Sequence, residues 1–121
     1  MGALADGYAE ARKRHDDQVA ELHRKETLVD AELHELGALI AQDGSFLKDN
    51  GLACEIGHRI LRITHLRTPA ITVHYNADSQ SFSMTIMHDG TVKTLKATDE
   101  CARAIGEALF DVVAATPVEA R

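Results

Sequence analysis

Six apolar residues in the first third of the chain, Val19, Leu22, Val29, Leu33, Leu36 and Ile40, fall at steps of three and four, with Glu26 in the one polar slot. On a helix this spacing gathers them onto one narrow face, the a/d seam by which helices pair. The residues from Tyr8 to Gln42 are strong helix formers and include no proline. The pattern therefore predicts a helix over 8–42, longer than a small domain needs to cover its own core. Such a helix calls for a partner, either a second copy of the chain or a helix of another protein. Continued backwards, the seam reads His15, Arg12, Tyr8 and Ala5. Residues 29–40 are thus expected to carry the packing, and residues 1–18 to project as a polar arm.

Gly37 is the weak link of this helix, costing about 1 kcal/mol relative to Ala. Asp43-Gly44 is a plausible stop, since glycine takes the left-handed cap conformation readily. Glu10–Arg14 and Glu21–Lys25 are acid-before-base pairs four apart that support the helix. Residues 45–51 read as a connector in which Phe46 and Leu47 tuck against the core and Asn50-Gly51 turns the chain.

The remainder predicts an antiparallel meander. A short fifth strand over 52–56 is an option; alternating β-branched runs at 59–66 and 70–76 are split by Arg67-Thr68-Pro69. Residues 77–80 turn into a strand at 81–88, and Asp89-Gly90 marks a hairpin into 91–97. Thr98 is a good N-cap, followed by Asp99 and Glu100 where the helix dipole favours acids. Cys101, Ile105, Ala108, Leu109, Val112 and Val113 then form an apolar face, and Pro117 lies beyond its end. The expected fold is α+β, in the order α-β-β-β-β-α. Residues 1–50 form the long helix and connector, and 51–121 form the sheet and its covering helix, within one structural domain.

Alternation assigns the sheet faces. Leu61, Ile63, Ile71, Val73, Tyr75, Phe82, Met84 and Ile86 share one side, which the C-terminal helix can cover. Arg62, Thr64, Thr72, His74, Ser83 and Thr85 share the other, a candidate docking face for an anionic ligand or acidic peptide. The expected cross-strand rows are Arg62–His74–Ser83–Lys96 and Thr64–Thr72–Thr85–Thr94.

Charge and motifs exclude more than they identify. The net charge of −6 disfavours a nucleic-acid backbone as partner. Residues 1–50 carry 11 acids against 6 bases, whereas 51–97 carry 3 against 5 and hold four of the seven histidines, so acidic ends flank a mildly basic centre. Apolar runs are too short for a membrane span, and neither a leader nor a myristoylation signal is read at the amino end, where Asp6 replaces the required Ser or Thr. A cytoplasmic location follows as the default, with Cys54 and Cys101 expected as free thiols.

His15, His23 and His34 are eight and eleven residues apart, too far for a paired ligand set on one helix turn. His34-Glu35 lacks the second histidine of HExxH. No metal, cofactor or catalytic residue is assigned. The leading expectation is an interaction or adaptor protein acting as a homodimer or subunit through Val19, Leu22, Val29, Leu33, Leu36 and Ile40. The alternative is a small-molecule-binding protein or enzyme with a pocket between sheet and helices lined by His65, Tyr75 and His88, with Cys54 nearby.

Overall fold

The computed structural model describes residues 2–115; Pro117 and the tail that follows lie outside them. A 39-residue helix, α1 (Ala3–Ala41), is followed by a short α2 (Gly44–Asp49). Five strands come next: β1 (Leu52–Gly57), β2 (Ile60–His65), β3 (Thr68–Asn76), β4 (Ser81–Ile86) and β5 (Val92–Leu95), before α3 (Thr98–Ala115). The strands form one open antiparallel sheet in chain order. The fold is α+β, with five strands, and the stretch read as a connector contains α2.

Both long helices lie on the same face of the sheet. α1 packs on β1, β2 and β3, α3 on β3, β4 and β5, and the two helices touch each other. The core between them and the sheet is aliphatic: Leu33, Leu36 and Ile40 meet Leu61, Ile63, Ile71, Val73, Phe82 and Met84, closed by Cys101, Ile105, Ala108 and Leu109. Burying Leu33, Leu36 and Ile40 contributes about 1.5–3 kcal/mol each before chain entropy is charged. Gly37 sits where α1 comes closest to the sheet. A Cβ there would run into Ile56 Cδ1, with Leu61 Cδ1 just beyond, so the helix-weakening glycine is the residue that lets α1 dock.

The β3–β4 register is the expected one, with His74 on Ser83 and Thr72 on Thr85, while the β2–β3 and β4–β5 registers differ from the expected rows. Arg62 pairs with Thr72, and Thr64 with Pro69. His74 pairs with Ser83, which pairs with Thr94, and Thr85 pairs with Val92. The first difference has a local cause. The β2–β3 turn is Leu66-Arg67, both left-handed (φ 51° and 70°) without a glycine, and Thr68 is already opposite His65. Two consecutive left-handed residues suit a tight hairpin because their twist matches the strands. A proline in a central strand is normally excluded for want of an N–H. Here a shift of register between Ile63 and Thr64 accommodates Pro69.

At the other end of the hairpin series, Asn76 Oδ1 accepts hydrogen bonds from the N–H groups of Asp78 (2.9 Å) and Ser79 (3.2 Å), fixing the β3–β4 turn. In the β4–β5 turn, Asp89 Oδ1 accepts from the Thr91 N–H at 2.8 Å, and Gly90 supplies φ 73°. That backbone hydrogen bond holds the Asp89 carboxyl below its usual range.

Candidate functional site

The residues singled out on α1 separate into two groups. Leu33, Leu36 and Ile40 are buried in the chain's own core and Val29 is half-buried against it. The carboxyl half of the seam therefore folds back on the sheet of the same chain. Val19 and Leu22 are exposed, and every described residue from Gly2 to Arg24 is exposed as well. At about 1.5 Å per residue, Ala3–Arg24 extends roughly 33 Å.

This projecting half is not uniformly polar. Leu4 is 92% exposed, Tyr8 71% and Leu22 61%. At the helical repeat, Leu4, Tyr8, Ala11, His15, Val19 and Leu22 share an arc of about 100° with Val29, Leu33, Leu36 and Ile40. The stripe that is buried beneath the carboxyl half runs on, uncovered, along the amino half. Leu4 was missed in the sequence because the strict heptad step falls on Ala5. Its place on the stripe follows from the helical repeat once the helix is known to begin at Ala3.

Two ion pairs mark the junction. Glu26 pairs with Arg59 in the β1–β2 turn, and Lys25 Nζ lies 2.8 Å from Asp78 Oδ1 in the β3–β4 turn. The expected Glu21–Lys25 pair is replaced: Glu21 takes Arg24, whose Nε lies 3.1 Å from it, and Lys25 reaches across to the sheet. The Arg24 hydrogen bond lowers the Glu21 carboxyl below its usual range, and the Asp78 hydrogen bond raises Lys25. All these side chains are substantially exposed, so the pairs set direction more than stability.

The face of the sheet away from the helices is uncovered. Arg62 and His74 are exposed there, and Thr64, Thr72, Ser83 and Thr85 are half-buried. The structure thus brings these six onto one face, in the rows given above. Among the described residues, no three His, Cys, Asp or Glu side chains converge as a metal site would require.

His65, Tyr75 and His88 do not meet. His65 is buried at the end of β2 opposite Thr68, whereas Tyr75 lies near the other end of β3, opposite Phe82, with their rings edge-to-face at 4.9 Å. His88 is exposed in the β4–β5 turn beside Asp89. Cys54 is half-buried and Cys101 buried; burial raises both thiols, Cys101 to about 11. Neither is poised as a nucleophile at neutral pH.

A concavity missed in the sequence is an apolar groove of about 350 Å³ between the end of α1, α2 and α3, lined by Leu39, Ile40, Phe46, Ala102, Ile105 and Leu109. Phe46 is half-exposed there rather than tucked into the core, while Leu47 does pack against it. Among the described residues, no helix is long and apolar enough to cross a membrane. No protein-family model, curated protein or solved structure matches the chain.

Proposed function

We propose that this protein is an interaction module: an α+β head that holds out a helical arm, through which it pairs with a second copy of itself. The observation that supports this is the uncovered apolar stripe of α1, which continues the buried stripe along some 33 Å of exposed helix. Single exposed apolar residues are ordinary, but a row of them aligned with a helix seam is a recurrent signature of association. The open sheet face carrying Arg62, Thr72 and Thr85 is available to a further partner with acidic groups.

Size-exclusion chromatography with light scattering, at micromolar concentration, tests the reading. The expected mass is that of a dimer. Val19→Lys with Leu22→Lys should convert it to a monomer while leaving the thermal transition of the head unchanged. A wild-type chain that runs as a monomer across that range would overturn the proposal.

A further inference from the structure

We infer that the two copies pair their arms antiparallel, about a twofold axis near residues 13 and 14; this rests on the self-association proposed above and adds its geometry. The first argument is steric. The face of α1 that carries Leu4, Tyr8, Val19 and Leu22 is the same face that rests on the sheet from Leu33 to Ile40. A parallel partner lying on that face would run on into the volume filled by the sheet and by the turns holding Arg59 and Asp78. An antiparallel partner runs away from it.

The second argument is length. With the axis near residues 13 and 14, the partner's Ala3 lies opposite Arg24. That is one residue short of Lys25 and Glu26, which are tied to the sheet turns. The partner's Ala3 therefore lies beside the concavity that Leu22 shares with Val29, Arg59 and Tyr75. In this register Val19 meets the partner's Tyr8, Leu22 sits beside the partner's Ala5 and Leu4, and His15 beside the partner's Arg12 and Ala11. Each large apolar side chain on the arm gains an apolar neighbour.

The third argument is charge. Arg12 and Asp16 flank the stripe on the same side, and in an antiparallel pair a flank faces its own counterpart. Arg12 then faces the partner's Asp16, and Asp16 the partner's Arg12, giving two reciprocal ion pairs per dimer. In a parallel pair a flank faces the opposite flank instead, so neither ion pair forms. Two stripes roughly 33 Å long and 10 Å wide come to about 660 Å², below the roughly 1,200–2,000 Å² that stable interfaces bury. The dimer is accordingly a reversible one.

Cysteine cross-linking reads the orientation directly. Leu4→Cys and Leu22→Cys are made separately in a Cys54→Ser background, with buried Cys101 left in place, and oxidised alone or after mixing. Both changes lie on the exposed arm, so the head stays folded. The expected result is a cross-link between positions 4 and 22 in the mixture and none in either variant alone. A Leu22→Cys chain that cross-links to itself would show parallel arms, overturning this inference while leaving self-association intact. A dimer by light scattering with no cross-link in any sample would also overturn it, and a monomer would remove both proposals together. A charge exchange gives a second reading. Arg12→Asp should weaken the dimer roughly tenfold, and Arg12→Asp with Asp16→Arg should restore it; failure to restore counts against the register.

Discussion

The two halves of α1 share one helix and one apolar stripe but have opposite surroundings. From Val29 to Ile40 the stripe is pressed onto the sheet and α3, while from Leu4 to Leu22 it faces solvent. Periodicity specifies a face and leaves open what covers it. In the carboxyl half the cover is the chain's own sheet, admitted by the absence of a side chain at Gly37. In the amino half Leu22 still borders the sheet, across a concavity shared with Val29, Tyr75 and Ser83, while among the described residues the stripe from Leu4 to Val19 is left exposed.

Substitutions can break this contrast. The largest effect is expected at Leu36, which is 0% exposed. Leu36→Ala should cost the head about 2–5 kcal/mol in urea unfolding through lost burial and a cavity. A cost below about 1 kcal/mol would mean that the carboxyl half is not truly part of the core.

A smaller effect tests the α3 side of the same core through Cys101. Its thiol is raised from 9.0 to about 11 by burial, so the folded state holds the proton more tightly than the unfolded chain does. The stabilising contribution is complete below about pH 9 and is lost as pH rises toward about 11. Stability measured across that range should fall in the wild type and fall less in Cys101→Ala; equal slopes would assign the dependence to other groups.

At the junction, Arg59→Ala should change stability by no more than about 1 kcal/mol, with the difference shrinking at high salt, because both partners are half-exposed. The smallest effect on folding is expected at Leu22. Leu22→Ala should leave the urea midpoint unchanged within about 0.5 kcal/mol yet weaken self-association. If it destabilised the head as Leu36→Ala does, the two halves would not differ in the way described.

Much of the architecture was legible in the sequence for definite reasons. The strand faces followed from alternation, since Leu61, Ile63, Ile71, Val73, Phe82 and Met84 are all buried as their parity requires. α3 does start at Thr98, but as its first helical residue rather than its cap: Ala97 holds the cap position, its carbonyl accepting from the Cys101 N–H. The β2–β3 register was not legible, because Leu66-Arg67 adopts left-handed geometry with residues that rarely do so, and Pro69 enters a central strand beside a register shift. Within the candidate site, the stripe was readable but its division was not. Which part of a seam is covered depends on where the sheet ends, and that is fixed by pairings made fifty residues or so downstream.

The chain-order sheet has a consequence for how the molecule assembles. Each strand pairs with its neighbour in sequence, so the meander can zip through short loops whose closure entropy is small. Docking α1 is the exception, since Leu33, Leu36 and Ile40 must wait for β2, β3 and α3. During vectorial synthesis the helix is made first and seated last. For that interval the whole stripe, from Leu4 to Ile40, is one adhesive surface broken by His15 and Glu26, and the order of completion determines which part of it remains available when folding ends.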